Sequence, residues 1–250
     1  MKMVIYTVDM LDKYVGQKVK DPYQRVVGSL ASIYSNVDGN VNAVEILFGD
    51  INFKTLPAER ILIQKDDIIL LPEWKYSALK VIERLERARR RAKALDELYA
   101  KGEITRQSYE EFKANVSKDL DTLKKDANEA KDMIKKRINE LEDQIVQIEK
   151  AITALKMSYI AGEISERGYK PAADILRLNK DRNLEEKNDA KKIMDLIVKL
   201  ETSSLDVESV VKEVQNVTPQ VPQVEQPIVV ELHESAPQSD NANVPAVSSQ

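Results

Sequence analysis

His233 is the only imidazole in this chain of 250 residues, and cysteine is absent. A metal site or an activated nucleophile needs several such groups brought together, and here there is one. His233 reads as a solvent-exposed side chain. No glycine-rich loop is present to cradle a phosphate with backbone N–H groups. Asp and Glu are plentiful, but they fall on helical faces where pairing with Lys and Arg explains them without acid–base chemistry. The expectation is a protein that is not an enzyme, takes no cofactor and holds no metal.

Two stretches carry recognition chemistry instead. The first is a basic run, Arg84, Arg87, Arg89, Arg90, Arg91 and Lys93, inside a segment (74–101) with nine basic and four acidic side chains. Such a run is either a solvated helix face paired with acids of a neighbouring helix, or a contact for lipid headgroups or nucleic-acid phosphates. No aromatics interleave the arginines, so base stacking is not expected and any DNA contact would be to the backbone. The second is Pro227-Ile228-Val229-Val230-Glu231-Leu232, a short β-former inside a proline- and glutamine-rich acidic stretch. Ile228, Val230 and Leu232 alternate with Val229 and Glu231, so an extended chain would show two different faces. That pattern suits a peptide that adds a strand to the sheet edge of another protein.

The element that must position both is the stretch from Thr105 to Ala161, which contains neither proline nor glycine. Its apolar positions step from Tyr109 through Leu120, Ile134, Leu141 and Ile148 to Tyr159. The mean step lies between the ~3.5 of a heptad seam and the ~3.6 of a straight helix. At about 1.5 Å per residue the rod is roughly 85 Å long, and it can bury its stripe only against partner helices. A preceding helix over 74–101 and a following one over 166–200 supply them, folding back on the first and second halves of the rod. Lateral surface is left for dimerisation or end-to-end assembly. Pro171 is expected to kink or restart the third helix.

The corners are an internal repeat, Leu98-Tyr99-Ala100-Lys101-Gly102-Glu103-Ile104-Thr105 and Ser158-Tyr159-Ile160-Ala161-Gly162-Glu163-Ile164-Ser165. Glycine suits the left-handed residue that stops a helix. Thr105 and Ser165 read as N-caps, and Ile104 with Tyr109, like Ile164 with Tyr169, has the spacing of a hydrophobic staple.

Residues 1–72 read as β. The runs Gln17–Lys20, Val26–Tyr34, Val41–Phe48, Arg60–Gln64 and Ile68–Leu71 are β-branched and glycine-punctuated, and Asp38-Gly39 reads as a two-residue hairpin turn. Five or six short strands in this length are expected to curl into a small barrel. Trp74, the single tryptophan, marks the junction with the helices, either packed there or serving as a ligand anchor. The start of the chain builds no signal-peptide core, and no apolar run approaches the ~20 residues of a membrane span. A soluble or peripheral protein is expected. The fold expectation is α+β and multidomain: a small β-barrel over 1–72, a three-helix coiled coil over 73–201 with corners at 102–105 and 162–165, and a flexible acidic tail over 202–250.

The β region over 1–72 resembles the PRC-barrel, on Val15-Gly16-Gln17-Lys18-Val19, Asp21, Val27-Gly28, Asp38-Gly39, Leu56-Pro57-Ala58-Glu59 and Ile68-Ile69-Leu70. The chain from about residue 10 to 200 resembles the CdvA family of archaeal cell division proteins. That likeness rests on Tyr14-Val15-Gly16-Gln17-Lys18-Val19-Lys20-Asp21, Ile68-Ile69-Leu70-Leu71-Pro72-Glu73-Trp74-Lys75, Leu95-Asp96-Glu97-Leu98-Tyr99 and Leu141-Glu142-Asp143-Gln144-Ile145. The resemblance implies a cytoplasmic scaffold, peripheral at the mid-cell membrane, that self-associates into dimers or filaments. It also implies recruitment of an ESCRT-III-like protein, whose broken winged-helix domain pairs with a C-terminal peptide. Pro227–Leu232 matches that role. DNA-associated filaments are attributed to the same family, so the basic run keeps both lipid and DNA as expected contacts.

Overall fold

A computed structural model describes residues 5–202. The expected flexible tail, with Pro227–Leu232 and His233, lies outside the described residues.

A short helix α1 (Val8–Leu11) precedes six strands, β1 (Lys18–Lys20), β2 (Val26–Ser35), β3 (Val41–Phe48), β4 (Asn52–Pro57), β5 (Ile61–Gln64) and β6 (Asp67–Leu70). The strands form one sheet in the order β4-β3-β2-β1-β6-β5. Every pairing is antiparallel except β1 with β6. Leu11, Val19, Leu30, Val44, Ile46, Ile61 and Ile68 fill its concave side. On the other side Leu62, Ile69 and Leu71 pack against Leu79 of the following helix. Gly28 has a packing reason: a Cβ there would lie 2.3 Å from the Leu47 carbonyl oxygen of the neighbouring strand.

Two expectations are corrected here. Among the described residues no pairing joins β4 to β5, so the ladder is an open curled sheet and not a closed barrel. The Asp38-Gly39 turn is a longer loop, Asn36–Asn40, in which the Asn36 carboxamide oxygen accepts from the Asp38 and Asn40 amides at 3.1 and 2.9 Å. The left-handed residue in that loop is Gly39 alone, whereas a type I′ turn needs two. β4 itself has no counterpart among the five runs read from sequence. Its residues are exposed except for half-buried Leu56, so it lacks the in–out alternation that marks a strand.

Three helices follow: α2 (Glu73–Ala100), α3 (Arg106–Ile160) and α4 (Glu166–Thr202), of 28, 55 and 37 residues. Both corners close with the same pair of bonds. The Glu103 amide donates to the Leu98 carbonyl and the Gly102 amide to that of Tyr99, each at 3.0 Å. Glu163 to Ser158 and Gly162 to Tyr159 repeat this at 2.9 and 3.1 Å. This is the Schellman arrangement, with Gly102 and Gly162 at φ 71° and 74°. Thr105 caps α3, its hydroxyl accepting from the Ser108 amide at 3.2 Å. α4 runs through Pro171 without ending or restarting. Proline lies in the second turn, where it forfeits a single ladder bond in a helix held by tertiary packing.

The pairs Lys180–Glu149, Lys187–Glu142 and Lys131–Glu201 fix α4 antiparallel to α3. α4 is long enough to reach α2. The middle of α3 (Leu123, Ala127, Ala130, Ile134, Ile138) is therefore enclosed by Ala78, Ile82 and Leu85 of α2 and by Ala190, Ile193, Ile197 and Leu200 of α4. This three-helix centre adds to the two-helix coverage expected from sequence. From it the two hairpin arms extend in opposite directions along α3, one to each glycine corner.

Candidate interaction surfaces

The sheet is fastened to the three-helix centre by a buried polar cluster around Glu186, which is 1% exposed. Its Oε1 accepts from the Trp74 indole N–H at 3.0 Å and from Arg137 Nε at 2.8 Å. Its Oε2 accepts from Arg137 Nη2 at 3.0 Å and from Arg25. Arg25 comes from the loop between β1 and β2. Asp21 shapes that loop, accepting from the amides of Tyr23 at 2.9 Å and Arg25 at 2.8 Å. One turn along α4, Asp189 Oδ2 accepts from the Tyr23 hydroxyl and from Lys75 Nζ, both at 2.6 Å. Burial alone would push the Glu186 carboxyl up, but the hydrogen bonds and charges of Arg137 and Arg25 outweigh it and hold the pKa below the ordinary value. Burial, reinforced by Asp189, pushes the Tyr23 phenol up. Trp74 is thus packed at the junction and hydrogen-bonded to protein, the first of its two expected roles.

The corner tips carry a second feature. Tyr99 stacks on Tyr109 with ring centroids 4.3 Å apart, and Tyr159 on Tyr169 at 4.4 Å. From the sequence, Tyr109 is expected to pair with Ile104 and Tyr169 with Ile164. The signal for the stack was in the repeat itself, since each copy carries a tyrosine on both sides of its glycine. Tyr109 also donates to Asp96 at 2.8 Å, which ties the arm across the corner.

The basic run is divided by the helix period. Arg84, Arg87 and Arg91 share one flank of α2 and line a groove of about 270 Å³ with Val116, Asp119, Thr122 and Leu123 of α3 and Ala88 of α2. Arg84 pairs with Asp126 of α3 at 2.5 Å and Arg87 with Glu83 of its own helix at 3.2 Å. Arg89 is half-buried on the other flank, and burial lowers its pKa. Arg90, Arg91 and Lys93 are exposed. The run thus comprises two exposed cations held in ion pairs, Arg84 and Arg87, one half-buried guanidinium, Arg89, and three further exposed charges.

Among the described residues no group of three or more His, Cys, Asp or Glu side chains is placed to hold a metal, and no helix is long and apolar enough to cross a membrane. The features that stand out are corners, clamps and charged faces, which define a coiled-coil protein carrying a β-sheet module at its first helix. The model of the CdvA-like coiled-coil domain family matches residues 73–220. "Cell division protein A" of Sulfolobus acidocaldarius is 36% identical over 200 residues, covering 80% of this chain and 84% of that protein. The chain belongs to the CdvA family. No solved structure matches it.

Proposed function

We propose that this protein is a non-enzymatic cytoskeletal scaffold of archaeal cell division that polymerises at the mid-cell membrane and recruits an ESCRT-III-like protein. Recruitment runs through Pro227–Leu232, which adds as a β-strand to the partner's broken winged-helix domain. The observation that carries the reading is the likeness to Cell division protein A along four-fifths of the chain. The architecture agrees with it: a 55-residue helix sets two corners far apart and leaves apolar surface on the second arm, where Met157 and Ile160 are exposed. Those residues suit self-association into dimers or filaments. The open sheet serves as an adaptor. Membrane contact is peripheral, through the basic run Arg84–Lys93. The test is a pull-down with the ESCRT-III-like partner using the full chain and a variant lacking 227–234. Loss of binding with assembly intact supports the assignment, and equal binding removes it.

A second reading is favoured by the exposed Arg90, Arg91 and Lys93: non-specific DNA coating through phosphate contacts. Its mark is an affinity that falls steeply with salt and is lost on charge reversal of Arg89, Arg90 and Arg91. Binding that ignores salt would eliminate it.

A further inference from the structure

β4 ends the sheet. Its side away from β3 presents alternate N–H and C=O groups that pair with nothing among the described residues. Proteins usually cover such an edge or shorten it, because it templates pairing with another strand. Here the edge runs six residues, and beside it Phe53 is 60% and Ile51 82% exposed. Its one charge, Lys54, has no carboxylate partner among the described residues and lies over the Phe48 ring at 5.8 Å.

The same chain carries a segment of matching length and complementary character. Set antiparallel with Glu231 opposite Lys54, Pro227–Leu232 places Leu232 beside Phe53, Val230 beside Thr55, Val229 beside Leu56 and Ile228 beside Pro57. Apolar groups meet on both faces and the two opposite charges meet once. A slip of one residue puts Glu231 on the face of Phe53 and Thr55 and loses the charge pair. Pro57 and Pro227, which lack N–H groups, then fall together at one end of the added ladder.

Reach allows the chain's own segment to be the occupant. Tyr23 bonds Asp189, so the sheet lies beside α4 about 20 Å before its last described residue. Twenty-four residues separate Thr202 from Pro227; a random coil of that length spans roughly 27 Å and a fully stretched chain about 80 Å. At such a tether length the effective concentration is in the millimolar range, above that of any second copy.

We propose that Pro227–Leu232 adds to β4 of its own chain as a seventh strand, an intramolecular strap that covers the sheet edge and withholds the peptide from an incoming partner. This rests on reading Pro227–Leu232 as a strand-forming recognition peptide. The partner then competes with β4, so the full chain binds it more weakly than the isolated peptide does.

The experiment is residue-resolved amide exchange of Asn52–Leu56 in the full chain and in the variant lacking 227–234. Alternate β4 amides exchange at least tenfold more slowly in the full chain, independently of protein concentration. A synthetic peptide spanning 225–236, added to the shortened chain, restores the protection. Glu231→Lys weakens it, and Lys54→Glu combined with Glu231→Lys recovers it. Equal exchange in the two chains overturns the strap, as does protection that grows with protein concentration, which would assign the edge to a second copy. Binding of the isolated 225–236 peptide to the partner reads a different acceptor free of the strap, so failure there with β4 still protected refutes recruitment and leaves the strap standing.

Discussion

The Trp74 indole donates to the Glu186 carboxylate at 3.0 Å, across 112 residues of sequence. That bond joins the first turn of α2 to the middle of α4, and through Arg25 it reaches the sheet. One buried carboxylate therefore sets where the β-module sits on the helices. A buried ion pair is seldom the most stable way to fill such a space, but leaving one partner alone is costly.

Glu186→Gln keeps the shape but removes the buried charge shared by two guanidinium groups, leaving Arg25 its pair with Asp21 and Arg137 its pair with Glu140. The expected loss is about 3 kcal/mol, read from denaturant unfolding. Trp74 is the only tryptophan, so its fluorescence reports the junction directly. The variant should show an altered folded-state emission as well as an earlier midpoint. An unchanged midpoint and spectrum would mean that the cluster holds nothing.

The same carboxyl fixes a pH dependence. Its folded pKa lies below the ordinary glutamate value of 4.5, so the folded state prefers the ionised form. The contribution is fully present above that ordinary value and is lost as pH falls through the folded one. Unfolding free energy measured from neutral to acid pH should decline below about pH 4.5 more steeply in the natural chain than in Glu186→Gln. Parallel acid limbs would contradict the linkage.

At the corners the cost of substitution is conformational. A Cβ at Gly102 or Gly162 meets nothing within 4 Å, so alanine there should lose about 1 kcal/mol from the left-handed backbone alone. A double-mutant cycle on Tyr99 and Tyr109 should return a coupling of about 0.5–1.5 kcal/mol. The same cycle on Tyr159 and Tyr169 should match it, since the two stacks share their geometry.

The basic run separates by role. Reversing Arg90, Arg91 and Lys93 together should leave unfolding free energy within about 0.5 kcal/mol and abolish sedimentation with anionic vesicles. Arg84→Ala removes the pair with Asp126 and should cost less than about 1 kcal/mol because both partners are partly exposed. Vesicle binding that survives the triple reversal would move the membrane contact elsewhere.

The helices were legible because their apolar steps repeat for many turns, and the corners because a glycine needed for a left-handed residue recurs at a fixed offset. The strands from β1 to β3 announced themselves through β-branched runs. β4 did not, since both its faces are largely wet and periodicity has nothing to report. The clamp was half visible. Lys180-Asp181-Arg182-Asn183 interrupts the α4 stripe, and the interruption leads into buried Asn183 and Glu186. What a polar break means depends on which residues arrive opposite it, and Arg25, Trp74 and Arg137 come from three distant elements. Sequence spacing cannot bring them together; the length of α4 and its register on α3 do.

The proposed scaffold works by holding surfaces apart, and the distance between its two corners tests that most directly. The chain has no native cysteine, so Glu103→Cys and Glu163→Cys can be labelled as a unique pair and read by single-molecule energy transfer. α3 spans 55 residues between them, which at about 1.5 Å each places the labels roughly 80 Å apart. A single narrow distribution near that distance is the expected result. A mean below two-thirds of it, or a broad spread reaching short distances, would show a helix that breaks or folds on itself, and the strut would be wrong.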